Sequence, residues 1–306
     1  MTPKFTVNMV PLDGPMPNLA LMKLSAWHKE QGHKVTLKGT GGYDHVYLSC
    51  VFSENAARAR SAKVMWEALG AEVTLGGSGV GYDNRLPEEV ENIKPDYDLY
   101  GYDYSMGFTS RGCIRACPFC IVPKKEGRMM DHHPVEHFHH PEHEKIILLD
   151  NNFMASPRWR ENIQYIQEHK LMVNFSQGLD IRIMDDEQGA ALAATKCYNW
   201  KFTTPQIHFA FDDPKIEPAV RRGIDILERN GVKPYKLMFY VLVGFNTDIE
   251  QDLHRIETLH DLGCLAYVMR YHKDDSRLND LARWVNRRLH KVVPFNQYDS
   301  SVRGSA

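Results

Sequence analysis

Apolar residues along this chain fall into short alternating runs, separated by stretches in which they recur at three- and four-residue spacing. A period of two marks half-buried strands and a period near 3.6 marks amphipathic helices, so the pattern divides into elements. Over the first hundred residues it predicts strands at 4–10, 34–38, 44–52 and 72–75, with helices at 18–31 and 54–69. Such a βα rhythm implies a parallel sheet. From 79 to 104 the periodicity fades into a segment with Pro87, Pro95 and the tyrosines Tyr82, Tyr97, Tyr100, Tyr102 and Tyr104, read here as an interdomain connection. Strands are then expected at 104–109, 145–149, 172–176, 206–211, 236–243 and 264–270, alternating with helices at 157–169, 185–194, 217–230 and 249–262. A helix at 278–290 closes the pattern. Six βα repeats predict a partial barrel, whose chemistry belongs at the C-terminal ends of its strands. The expected organisation is therefore α/β, with one domain over 1–95, a second over 96–295, and a disordered Ser/Gly-rich tail over 296–306.

A length of 306 residues accommodates two such cores. The formal net charge of -2 supplies no global field for nucleic acid or anionic lipid, which leaves any such contact to a local patch. The N-terminal residues lack the apolar core of a signal peptide, and no apolar run reaches spanning length, so a soluble, cytoplasmic protein without a membrane partner is expected. In that compartment clustered cysteines read as metal-binding or catalytic.

Three of the six cysteines form the run Cys113-Ile-Arg-Ala-Cys117-Pro-Phe-Cys120 directly after an expected strand. Three thiolates on one short loop can hold three corners of a 4Fe-4S cubane and leave the fourth iron open. A structural zinc site is the alternative, with a fourth ligand drawn from His132, His133, His137, His139, His140 or His143. Read blandly, those histidines form a solvated loop; read sharply, one or two line a substrate entrance.

The Cys-x3-Cys-x-Phe-Cys run resembles the signature of the radical S-adenosylmethionine superfamily. The wider string from Arg111-Gly-Cys113 to Cys120-Ile-Val-Pro123 resembles its methylthiotransferase and cobalamin-associated branches, as does Asp150-Asn151-Asn152-Phe153. Ala210-Phe211-Asp212-Asp213 stands where those branches often carry Gly-Ile-Glu-Ser. Val243-Gly244-Phe245 with Glu250 resembles their Gly-Phe-Pro-x-Glu-Thr element, with Asn246 in place of the proline. The resemblance implies an enzyme whose cluster, on Cys113, Cys117 and Cys120, cleaves S-adenosylmethionine reductively to a 5'-deoxyadenosyl radical that abstracts a substrate hydrogen. It also implies a flavodoxin- or ferredoxin-type electron donor. Phe119 matches the aromatic position near the adenine, and Asn152 and Asp212 are carried over as cofactor-binding candidates. Among residues after the third barrel strand, Arg182 is a candidate for the methionine carboxylate and Gln177 or Asp180 for the ribose, with a local Asp180–Arg182 ion pair as the alternative. Gly244 would let the cofactor approach the backbone, or serve as a turn glycine. No catalytic residue is assigned, and the substrate stays open.

The first domain resembles the flavodoxin-like, cobalamin-binding domains that precede such barrels. Its loop 11–17 contains no histidine to serve as lower axial ligand, which weighs against cobalamin. A cobalamin-dependent radical methyltransferase and a zinc-stabilised binding protein without catalysis are the two rivals. The glycines Gly76, Gly77, Gly79 and Gly81 miss the dinucleotide spacing and read as a turn. Cys50, Cys197 and Cys264 are scattered and read as small buried hydrophobes. Methylthiotransferases carry a further cysteine triad in their N-terminal domain and usually a C-terminal RNA-binding module; neither is expected from these residues, which weighs against methylthiolation. Lys124, Lys125 and Arg128 form a local basic turn, and Arg283, Arg287 and Arg288 lie on a closing helix read as amphipathic.

Overall fold

The computed structural model describes residues 5–14 and 16–299. The chain is mixed α/β with parallel sheets and divides into two compact units. The first comprises Met1–Gly107, Ile121–Gly127 and His133–Glu144, and the second Phe108–Cys120, Arg128–His132 and Lys145–Ala306.

The first unit is built on β1 (Thr6–Pro11), β2 (Lys34–Leu37), β3 (His45–Ser49) and β4 (Glu72–Gly76), which pair in the order β2-β1-β3-β4 with every neighbour parallel. Helix α1 (Leu19–Glu30) starts at Asn18, whose Oδ1 accepts the Leu21 amide at 3.1 Å. It packs Leu21 and Leu24 on Val7 and Met9 of β1, together with Val90 of the short helix α3 (Glu88–Glu91). Helix α2 (Ala56–Ala68) covers the other face, where Ala59 and Trp66 meet Val46 and Leu48 of β3. Polar residues interrupt the apolar positions of these strands, and Asn8, His45 and Ser49 are buried among them. The β2-to-β3 crossover carries no helix. Instead the buried Asn8 side chain brackets Gly39, donating to its carbonyl at 3.1 Å and accepting its amide at 2.9 Å.

The tyrosine-rich segment expected as a connection is packed into this unit. Buried Tyr97 donates to the Phe138 carbonyl at 2.5 Å and accepts the Met106 amide at 3.2 Å, which ties β5 (Ser105–Gly107) to α5 (Val135–Phe138). The remaining short helix, α4, spans Val122–Lys125. The histidines of 133–143 do structural work here. His133 and His137 stack at 3.9 Å and bond Asn92 at 3.0 Å each, and His139 bonds the His143 carbonyl at 2.8 Å.

A second histidine cluster was not singled out from the sequence. Buried His28 bonds His33 through Nδ1 at 2.8 Å and Tyr47 Oη through Nε2 at 3.1 Å. Burial, then the neighbouring His33 and His45, depress its pKa to about 4. An unfolded histidine titrates near 6.5, so between that pH and about 4 the unfolded chain holds a proton that the folded one refuses. Stability from this site is complete above pH 6.5 and falls as the pH drops toward 4, by about 2–4 kcal/mol. Urea midpoints recorded across that window are expected to decline more steeply for the wild type than for His28→Phe; equal slopes would contradict the assignment.

In the second unit β6 (Ser110–Arg111) pairs antiparallel with β7 (Met130–Asp131). The parallel strands β8 (Lys145–Leu148), β9 (Met172–Phe175) and β10 (Lys196–Cys197) pair with β9 in the middle. A further parallel set, β11 (Ile207–Ala210), β12 (Leu237–Val243) and β13 (Leu265–Arg270), pairs with β12 in the middle. Leu179, just past β9, bridges Phe209 of β11 in parallel sense, and its amide donates to the His208 carbonyl at 2.7 Å. Helices α6 (Trp159–Glu168), α7 (Asp186–Ala194), α8 (Glu217–Arg229), α9 (Ile249–Asp261) and α10 (Ser276–Asn286) alternate with the strands. The expected helix over 278–290 thus stops at Asn286, where Arg288 takes a left-handed conformation and a 3-10 turn follows. Phe295–Gln297 forms another such turn, and the expected tail lies outside the described residues from 300 onward. No helix among the described residues is long and apolar enough to cross a membrane.

Candidate functional site

All three clustered cysteines lie in the second unit, on a loop fixed from behind by one carboxylate. Asp150, two residues past β8, is buried and accepts the amides of Thr109 and Ser110 at 3.0 and 2.6 Å and both their hydroxyls at 2.7 Å. Burial pushes this carboxyl upward in pKa, and the four donors pull against that rise. The anchor sits directly before Arg111-Gly112-Cys113. On its far side Cys113 bridges Arg128, so the loop leaves and rejoins the β6–β7 pair. Between them the Cys120 amide closes a turn on the Cys117 carbonyl at 3.0 Å.

The three thiols are half-buried. Burial pushes the Cys117 thiol up, the positive charge of Arg182 opposes that rise, and the neighbouring Cys120 and Cys113 add to it. Cys113 Sγ accepts the Arg115 amide at 3.4 Å and lies 3.7 Å from Asn152 Nδ2. Asn152 is buried and its Nδ2 also donates to Asp180 at 3.4 Å, while its Oδ1 is enclosed without a hydrogen-bond partner. An enclosed acceptor without a donor costs about 1–3 kcal/mol, and flipping the amide would set that oxygen against a carboxylate and a thiol.

Asp180 is the hub of the polar side. It accepts Arg182 Nε at 2.6 Å and Nη2 at 3.1 Å, and Arg115 Nε at 2.8 Å. Burial works against ionisation, yet the two guanidinium groups hold this carboxyl below the usual range. The local Asp180–Arg182 pair weighed from the sequence is therefore present, and Arg182 in addition faces Cys117. Phe119 stands edge-on to Phe245 at 5.4 Å, and Phe245 edge-on to Tyr271 at 4.7 Å. Asp212 accepts the Leu242 amide at 2.9 Å, and burial raises its pKa against that bond and against Arg255 and Arg182. Gln177 is exposed.

Gly244 has φ +77°, a left-handed backbone that favours glycine, and it packs beside Leu278. Its amide donates to Asp252 at 3.0 Å. Cys50, Cys197 and Cys264 are buried free thiols, the latter two pushed up to about 12 by burial. Gly77 and Gly79 serve packing: a Cβ on either would fall within 2.7 Å of the backbone of Cys50 or Phe52.

Cys113, Cys117, Asn152, Asp180 and Arg182 thus converge, Phe119 contacts Phe245, and Gln177 makes no described contact with them. Sequence reasoning missed Arg115, although it lies inside the cysteine run, and the buried pair Asp252–Arg255. Among the described residues no group of three or more His, Cys, Asp or Glu converges on a point as the ligands of a single ion do. A cubane makes a different demand, because each thiolate binds its own iron corner. Comparison with protein-family models gives no match, and comparison with curated proteins gives none either.

Proposed function

We propose that this protein is a radical S-adenosylmethionine enzyme with a 4Fe-4S cluster on Cys113, Cys117 and Cys120. The observation that carries the reading is the pair of N–H donors turned on Cys113 Sγ, the Arg115 amide and Asn152 Nδ2, with the positive charge of Arg182 acting on Cys117. Thiolates bound to iron keep negative charge, and such donors are what a protein supplies to stabilise it. When bound, the cluster supplies the electron that cleaves S-adenosylmethionine. The chain's own residues hold and orient. Asp150 fixes the approach to the loop, Asp180 aligns Arg115 and Arg182, and Phe119 packs edge-on against Phe245.

The parallel units are read as a flavodoxin-like domain and a partial barrel with this site at its strand ends. Cobalamin is not assigned. The loop after β1 offers Asp13, whose carboxylate already accepts the Val51 and Phe52 amides at 2.5 and 3.2 Å and Asn55 Nδ2 at 2.9 Å.

The test is anaerobic reconstitution with iron and sulfide, followed by dithionite and S-adenosylmethionine, with chromatography for 5'-deoxyadenosine. Product is expected from the wild type and not from the triple Cys113, Cys117 and Cys120 to Ala variant. Stoichiometric zinc without iron in anaerobically purified protein, or equal product from the two chains, sinks the reading.

A further inference from the structure

We infer that Asn152 is a positioning residue that sets the reduction potential of the cluster through a hydrogen bond to the sulfur of Cys113, an inference that rests on the function proposed above. The geometry leaves its carboxamide one useful orientation. Nδ2 faces two acceptors that carry or share negative charge, Cys113 Sγ at 3.7 Å and Asp180 Oδ2 at 3.4 Å. Oδ1 is enclosed without a partner, so the orientation is not chosen by anything on the oxygen side. Asn152 is 2% exposed, which keeps solvent from competing for its Nδ2 donors.

A donor on a cluster sulfur stabilises the more negative, reduced state and therefore raises the potential. Asp180 adds to this indirectly. By receiving the second Asn152 hydrogen it locks the amide, and its own charge is offset by Arg115 and Arg182, so the sulfur meets the donor rather than a bare carboxylate. The polar cluster thus has a role beyond cofactor binding: it governs how readily an electron donor can reduce the site.

The experiment is a potentiometric titration, followed by electron paramagnetic resonance, of the full chain reconstituted with iron and sulfide and without S-adenosylmethionine. Wild type, Asn152→Leu and Asn152→Asp are compared at equal iron content. The midpoint is expected to move to more negative potential in Asn152→Leu and further in Asn152→Asp, where the donor is replaced by a charge. An unchanged midpoint in Asn152→Leu with a full cluster overturns the inference and leaves the proposed function standing. Absence of any iron–sulfur signal in the wild type overturns both. Should either variant lose its cluster, the wild type alone decides. Grown with 15N-labelled asparagine, its reduced cluster is expected to show a 15N hyperfine coupling, and the absence of that coupling overturns the inference.

Discussion

Replacing Arg255 with Met is expected to destabilise the protein by about 3–5 kcal/mol, a large share of the stability of an ordinary domain. Arg255 is fully buried on α9. Its Nη1 donates to the Phe211 carbonyl at 2.6 Å, and its Nη2 to the Leu242 carbonyl at 2.8 Å and to the Asp252 carboxylate. One guanidinium therefore pins the ends of two neighbouring strands, and Asp252 extends the link to the Gly244 amide. Methionine fills the volume but strands a buried carboxylate and two carbonyls. The double variant Asp252→Leu, Arg255→Met removes the charge along with its partner and should recover part of the loss. Urea unfolding of the three chains measures this directly. A single variant within about 1 kcal/mol of the wild type would show that the pair is not what holds the strand ends.

That pair also marks the limit of what the sequence discloses. Asp252 and Arg255 stand three apart on a helical pattern, the spacing of an ordinary surface ion pair, and only the tertiary fold reveals that α9 turns this side inward. The longer strands and helices were legible, because their apolar periods are regular and several helices start at caps such as Asp248, which forms a capping box with Gln251, whereas the four-residue helices α3, α4 and α5 were not expected. The two-residue strands β6, β7 and β10 were not, since two residues carry no period. The tyrosine-rich segment misled for a related reason. Tyr97 is held by backbone partners on β5 and α5, and no local pattern announces contacts across 41 residues.

At the site, cysteine spacing is a local signal and was legible, as was the neighbourhood of Asp180 and Arg182, two residues apart. The second arginine on Asp180, Arg115, was not, because it depends on a loop folding back on a strand end 65 residues away. Gln177 illustrates the converse: a polar residue in a promising stretch can simply face solvent.

Asp150 supports the second large expectation. Its replacement by Ala removes the acceptor for two backbone amides and two hydroxyls, all in a buried setting. Each orphaned donor costs about 1–3 kcal/mol. The two hydroxyls can rotate toward other acceptors, but the Thr109 and Ser110 amides are fixed by the backbone, so a loss of about 3 kcal/mol is expected. Asparagine should fall between. Its oxygen can replace Oδ1, which serves both hydroxyls, the Ser110 amide and one branch of the Thr109 amide bond at 3.1 Å, but its NH2 group then meets the Thr109 amide donor to donor. Since Cys113 follows Ser110 by three residues, slackening this anchor should also loosen the thiol loop. Iron retained per chain after reconstitution is expected to fall in the order wild type, Asp150→Asn, Asp150→Ala, with far-ultraviolet circular dichroism confirming that the helices persist. The double variant Thr109→Ala, Ser110→Ala gives the contrast. It leaves both amides on the carboxylate and should lose far less stability and iron than Asp150→Ala. If it loses as much, the backbone anchor is not what holds the loop.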